Sequence, residues 1–327
     1  MLSMTSNPKI IGIGEVLIDF IGVEQASLDE VMNFKKCFGG APMNTIVGVA
    51  RLGVETGAIA AVGDDPFGKF IIEEFKKNDV DVSQVKIKKD VRTTLAFIVN
   101  DPARGWVCIF YRSPWLKHTS DSLLSPHDID YDYIAKARIL HVSGFALSQN
   151  PGRQALFKAV KYAKKKGVKI SFDPTLRLDV WRSRSILKKT CMQMLKLADI
   201  ATFSREEASF FFGTSNPRGV AERVLKYGVE IVGVKLGSQG SFIKVKNGPE
   251  VSAPAFKVNV VDVTGAGDGW NAGLLVGLYK DWSIEQCITV ANAVGALVVT
   301  KPGAITALPY RDELNRFLRE NNIEISV

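Results

Sequence analysis

Cysteine is scarce in this chain of 327 residues, and the four present, Cys37, Cys108, Cys191 and Cys287, stand far apart. No C-x-x-C pair occurs, which argues against a zinc site or a disulfide framework and fits a reducing, cytoplasmic compartment. No apolar run is long enough to span a bilayer, and Met1 to Lys9 is short and polar, so a soluble protein without a membrane partner is expected. The P-loop pattern G-x-x-x-x-G-K-[ST] is missing, as are H-E-x-x-H and G-x-S-x-G. Gly12 and Gly14 lack the third glycine and the following helix of a dinucleotide-binding turn. Internal repeats, low-complexity tracts and linkers are absent too. The net charge of +8 suits an anionic ligand such as a nucleotide. The longest basic cluster, Lys161 to Lys169, reads as the solvated end of a helix, so nucleic acid is not expected as a partner.

With 46% apolar and 23% charged residues, the chain can bury one large core. Lys9 to Phe20 reads as one buried strand, and Ala58 to Val62 as another. Thr93 to Asn100 and Trp106 to Tyr111 are β-rich runs joined by the turn residues Asp101 to Gly105, which predicts a hairpin. From Ala137 onward, strands at Ile139 to Ser143, Val168 to Asp173, Ile200 to Phe203 and Val229 to Lys235 alternate with helical patterns. That alternation predicts an α/β fold, a mostly parallel central sheet with helices on both faces. Ligands in such sheets gather beyond the carboxyl ends of the strands, where Asp173, Ser204, Lys235 and Asp262 are expected.

The densest chemistry lies in Val260 to Gly273. A β-branched run gives way to a small-residue turn, Thr264 to Gly267, and then to a helix with Trp270, Leu274 and Leu278 at every fourth position. Gly265 and Gly267 allow backbone N–H groups to converge, and the helix start adds further N–H groups and the positive end of its dipole. Asp268 at the mouth of this anion site is awkward for holding a phosphate but well placed to take a proton from a hydroxyl attacking one. A glycine-rich turn capped by Asp268 is the bland alternative. Earlier, Gly39-Gly40-Ala41-Pro42-Met43-Asn44 opens a helix with Pro42 in its first turn and Asn44 offering a donor and an acceptor.

Asp262 to Asp268 resembles the Asp-x-Thr-Gly-Ala-Gly-Asp signature of ribokinase-type (PfkB) carbohydrate kinases, and the resemblance extends over roughly residues 9 to 318. It implies a ribokinase-like fold occupying residues 1–327 as a single domain, with lid strands from roughly 20–38 and 93–112. It implies Asp268 as catalytic base, with the Gly265, Ala266 and Gly267 backbone as the anion hole. Asp19, Gly39, Gly40, Asn44, Phe97, Arg112 and Arg177 are then expected at the sugar, and Lys235, Gly237, Gly240 and Asn292 at the nucleotide. ATP and Mg²⁺ are implied, with Glu207 helping to organise the metal. A K⁺ ion is implied beside Asp262 and Thr264, with Val298 and Gly303 as further positions. Two segments depart from the family pattern: Thr175 and Ser204 stand where Asn is usual, keeping a hydroxyl but losing an amide.

Within the family, Gly39 to Asn44, Arg92 to Phe97, Phe110 to Pro114 and Phe172 to Trp181 look most like fructokinases. Fructose phosphorylated at O6 is therefore the expected reaction. Leu116-Lys117 stands where fructokinases tend to have Ala-Asp, and that exchange favours 2-keto-3-deoxygluconate as the alternative acceptor. A catalytically silent binding or scaffold member of the same fold is the alternative of another class. An apolar lid edge suggests a homodimer through the lid.

Overall fold

Apolar residues alternate along the strands, and the alternation divides the core into two layers. Ile11, Ile13, Leu140, Val142, Phe172 and Phe203 pack into one layer, Ile10, Ala58, Ala60 and Val62 into the other. A sheet buried on both faces needs helices on both faces, as parallel strands usually do. The computed structural model describes residues 8–112, 114 and 119–327.

In chain order the strands are β1 (Ile10–Ile13), β2 (Leu17–Gly22), β3 (Phe34–Gly39), β4 (Thr56–Gly63), β5 (Val80–Lys88), β6 (Leu95–Asp101) and β7 (Gly105–Phe110). After them come β8 (Ile139–Ser143), β9 (Lys169–Asp173), β10 (Ile200–Ser204), β11 (Ile231–Lys235), β12 (Ser241–Val245) and β13 (Glu250–Ala253). The nine-stranded sheet has the order β13-β12-β11-β10-β9-β8-β1-β4-β5. Its strands pair in parallel except at one edge, where β12 runs antiparallel to both β11 and β13. The four-stranded sheet has the order β3-β2-β6-β7 and supplies the strands expected for a lid.

Three expectations change. Lys9 to Phe20 is not one strand: the chain turns at Gly14 to Val16, so β1 joins the large sheet and β2 the small one. Gly14 permits this at φ 147°, where Pro42 and Ala146 crowd the space of a side chain. Asp262 does not end a strand, because Val260, Val261 and Val263 have no strand partner and lie exposed. Strands β5, β12 and β13 add to the sheet that the alternation outlined.

The helix Ala266–Tyr279 packs against the helix Ile284–Val298 through small residues; a Cβ on Gly273 would lie 2.7 Å from the Ala291 backbone. Trp270 uses the space over Gly233 and donates its indole N–H to Asn292 Oδ1 at 2.9 Å. Asn292 also accepts from Ser241 (2.6 Å) and donates to the carbonyls of Ala253 (3.2 Å) and Pro254 (2.9 Å). Its amide is thus saturated inside the protein, so Asn292, expected near the adenine, has no hydrogen bond left to give a base. Asn292→Ala strands several buried partners, and loss of about 1–3 kcal/mol is expected in urea denaturation. An unchanged midpoint would show that this amide does not hold the β12–β13 hairpin.

Candidate active site

The anion loop is shaped by Asp262. Its Oδ1 accepts the N–H and the hydroxyl of Thr264 (2.9 and 2.7 Å), and its Oδ2 accepts the N–H of Gly303 (2.8 Å). Gly265 then takes φ 79° as the residue before the helix Ala266–Tyr279. A Cβ there would lie 2.5 Å from Ala304, so only glycine fits both the angle and the space. The N–H groups of Gly267 and Asp268 find no backbone acceptor among the described residues. Both belong to the first helical turn, where the dipole favours an anion. The Lys235 ammonium lies 3.3 Å from the position of a Cβ on Gly267, so a cation flanks the loop at its glycine.

Lys235 is held in place by Asp173, 2.6 Å away, at the carboxyl ends of β11 and β9. Asp173 also accepts from Asn271 (2.7 Å), from Thr202 (3.2 Å) and from the Thr175 N–H (2.9 Å). Burial opposes its charge, but Lys235 and these donors outweigh burial and hold the carboxyl far below the usual range. Burial likewise works against the Lys235 charge, and Asp173 and Glu207 reverse the outcome, raising its pKa. Thr175 pays for the turn with φ 45°, a strained angle for a β-branched residue and one that the usual Asn tolerates better.

Asp268 reaches back across the cleft to Asn44, whose amide donates to its Oδ2 at 2.8 Å. Oδ2 is thereby pinned, and Oδ1 is the oxygen left to accept a proton. Burial, joined by the Asp173 charge, lifts the Asp268 pKa to about 7 against the Asn44 hydrogen bond and Lys235. Asp19 is buried on β2 and accepts no hydrogen bond among the described residues. Burial first, then the charges of Asp268 and Asp262, raise it to about 8, with Arg177 opposing. A Cβ on Gly39 would collide with the Asp19 carboxylate, and one on Gly40, at φ 114°, would lie 2.6 Å from the Glu15 carbonyl. The glycine pair therefore lets this loop pack against two buried acids. Asn44 Oδ1 is buried without a partner. Asp19 and Asn44 thus present an acceptor pair suited to the hydroxyls of a polyol.

The structure brings Asp19, Gly39, Gly40, Asn44, Arg177, Lys235 and the loop 265–268 together, and Asp262, Thr264 and Gly303 beside them. Other expected residues fall elsewhere. Phe97 pairs with Phe20 on the face of the small sheet opposite Asp19, because strand residues alternate; it stacks on Phe20 at 5.2 Å. Arg112 is wholly buried, 2.7 Å from Asp121 and bonded to Ser148, so it is not presented to a ligand. Glu207 accepts backbone N–H groups from Ser204 (2.7 Å) and Leu176 (2.9 Å), completing a capping box rather than offering a free metal ligand. Val298, expected through its backbone carbonyl, turns its side chain toward Gly269, and the adjoining Val299 carbonyl accepts the N–H groups of Val261 and Asp262. Gly240 packs against the end of β13, while Gly237 borders open space. Lys117 and Leu116 lie outside the described residues.

Two residues were overlooked in the sequence. Glu15, buried, accepts the Ala41 N–H at 3.2 Å and a bond from Ser143, and so orders the start of the helix Ala41–Arg51. Burial is the main cause that lifts it to about 8. Glu15, with Asp19 one of two acids in the apolar run Lys9 to Phe20, carries its signal in that setting. Asn271, a polar residue in an apolar helix, orients Asp173.

No group of three His, Cys, Asp or Glu side chains that could hold a metal occurs among the described residues. Asp262 is buried without an ion-pair partner among the described residues, and its carboxylate is held by the Thr264 N–H and hydroxyl and by the Gly303 N–H.

A ribokinase-like fold with an acid on its anion loop defines a class of phosphotransferases that use an alcohol acceptor. Residues 7–311 match the pfkB family carbohydrate kinase pattern, and the chain belongs to that family. Fructokinase-2 of Zea mays is 35% identical over 316 residues, covering 93% of this chain and 92% of that one. The 5-dehydro-2-deoxygluconokinase of Geobacillus kaustophilus is 32% identical, covering 95% and 93%. A Vibrio cholerae fructokinase solved with fructose, ADP and potassium superposes with TM-score 0.84 at 31% identity, covering 96% and 99%. A ribokinase-type structure from E. coli with ATP and Mg²⁺ gives TM-score 0.86 at 28% identity, covering 96% and 99%.

Three raised carboxyl pKa values set the sign of the pH response. Between the ordinary value and about 7–8, the folded state of Asp268, Asp19 and Glu15 binds protons that the unfolded chain has lost. Stability contributed by these groups therefore falls as pH rises from about 4 to 8. Asp19→Asn removes one of them and is expected to stabilise the ligand-free protein at pH 8 by about 1–3 kcal/mol. Urea midpoints at pH 5 and 8 check this; an equal effect at both would show that Asp19 is ionised normally.

Proposed function

We propose that this pfkB-family sugar kinase transfers the γ-phosphoryl group of ATP to the primary O6 hydroxyl of fructose. The observation that carries the mechanism is Asp268, pinned through Oδ2 by Asn44 at 2.8 Å beside two free N–H groups and Lys235. The sugar is held by Asp19, Asn44 and the Gly39–Gly40 backbone, with its hydroxyl at Asp268 Oδ1. Asp268 takes the hydroxyl proton as the oxygen attacks phosphorus, the bond to ADP breaks, and ADP leaves with the electron pair. The N–H groups of the loop and the Lys235 ammonium receive the charge on the transferring phosphoryl. When bound, Mg²⁺ screens the ATP phosphates. Arg177, half-buried between Asp19 and Asp268 in its electrostatic reach, limits repulsion between the two acids and a phosphate.

A neutral sugar is the first reading because the segments 39–44, 92–97 and 172–181 resemble those of fructokinases and fructokinase relatives match at 35% identity. Relatives named 5-dehydro-2-deoxygluconokinase keep an acidic keto-sugar as the second reading. Conversion by Asp268→Asn is expected to fall about 10²–10⁴-fold with ATP binding retained. Coupled ADP release with fructose, 2-keto-3-deoxygluconate and 5-dehydro-2-deoxygluconate, each in K⁺ and in Na⁺, checks both parts. Fructose in K⁺ should be turned over fastest; a faster acidic sugar would replace fructose, and indifference to the cation would remove K⁺ from Asp262.

The outer face of the small sheet carries Phe34, Phe97, Ile109 and Tyr111, the last two 46% and 60% exposed. We propose that a second copy of the chain covers it. Sedimentation should find a dimer that Ile109→Glu converts to monomer, and a wild-type monomer at micromolar concentration would contradict this.

A further inference from the structure

Trp106 stands on β7, where pairing with Asn100 places it on the same face of the small sheet as Asp19. Its indole hangs from that sheet toward the large one and donates Nε1–H to Thr264 Oγ1 at 3.1 Å. A hydroxyl can donate only once, and Thr264 spends its proton on Asp262 Oδ1 at 2.7 Å. Trp106 supplies the donor that the acceptor side of this hydroxyl needs, so the Thr264 rotamer is fixed from both directions. Asp262 passes the constraint on to the Gly303 N–H at 2.8 Å. Meanwhile the Arg177 guanidinium lies over the indole ring, 5.1 Å from its centre. Arg177 is the cation whose charge reaches both Asp19 and Asp268.

One side chain of the small sheet thus touches the residue that opens the anion loop and the cation between the two acids. No other hydrogen bond among the described residues joins β6 or β7 to the segment 262–268. We propose that Trp106 is a positioning residue that couples seating of the small sheet to the geometry of the anion loop. With the sheet seated, Thr264 and Arg177 are held where phosphoryl transfer needs them. With the sheet lifted, the hydroxyl of Thr264 loses its donor and Arg177 loses its platform, so ATP is not poised for attack by water. The inference rests on the kinase reading of the site and adds a residue outside its signature.

The test separates the N–H from the ring. Trp106→Phe keeps a surface for Arg177 and deletes the donor; kcat should fall about three- to tenfold, the equivalent of one net hydrogen bond, with sugar KM within twofold. Trp106→Leu deletes the platform as well, and sugar KM should then rise. Thr264→Val and the double variant Trp106→Phe/Thr264→Val should share one kcat, because the partner is already gone. Independently of any acceptor, the Trp106 indole N–H signal, assigned by its loss in Trp106→Phe, should exchange with solvent at least tenfold faster in Thr264→Val. That signal tests the contact even if no sugar is turned over, so failure of the kinase reading is distinguishable from failure of the coupling. Wild-type kcat in Trp106→Phe, additive losses in the double variant, or indole exchange unchanged by Thr264→Val would each overturn the proposal.

Discussion

Asp268 has to carry a negative charge beside a loop that exists to gather negative charge, and the surroundings are arranged around that conflict. Burial and the Asp173 carboxylate push it toward the neutral form, while Asn44, Lys235 and Arg177 pull it back. The balance falls near neutrality, where a carboxylate is a better proton acceptor than an ordinary exposed Asp. Lys235 is central to that balance. Paired with Asp173 at 2.6 Å, it stays charged in a buried position and flanks Gly267 without free movement. A buried pair of this kind gives little net stability, because desolvation consumes most of the attraction. What it gives here is a fixed cation beneath a fixed loop.

The parallel sheet makes the arrangement possible. Strands β9, β10 and β11 end side by side, so Asp173, Ser204 and Lys235 arrive at one edge without long loops. The turn at Gly14 sends β2 out of that sheet and over the same edge, bringing Asp19 opposite Asp268. The costs are visible at the same place: a β-branched residue at φ 45°, two amide oxygens on Asn44 and Asn271 without partners, and the acids Glu15, Asp19, Glu207 and Asp268 raised by burial. Groups that lower the stability of the free protein are the ones a polar ligand would satisfy.

The large sheet was readable because β8 to β11 are short apolar runs separated by helical periods, with boundaries shifted by only a residue or two. The anion loop was readable because Gly265 is required by angle and space and Gly267 leaves room for the Lys235 ammonium. Chain direction was less so. Nothing in an unbroken apolar run announces that Gly14 divides it between two sheets, and the exposed Val260, Val261 and Val263 have strand composition without a strand to pair with. Side-chain direction was the weakest part. Phe97 was two residues into a strand of known position, but its face depended on the register with β2, which sequence spacing alone did not supply. Arg112 and Asn292 were credited to ligands because their protein partners, Asp121 and the β12–β13 hairpin, are distant or were not foreseen. Trp106 carried no motif, and its partner is 158 residues away.

The most direct test of the central claim is the pH dependence of kcat/KM for the best sugar at saturating ATP and Mg²⁺. This quantity reports the ionisation of the enzyme–ATP complex that the free sugar meets. If Asp268 is the desolvated base, activity should climb tenfold per pH unit on the acid side and level off above a midpoint of about 7. A profile flat from pH 5 to 9, with any acid limb near the ordinary carboxylate value, would contradict it.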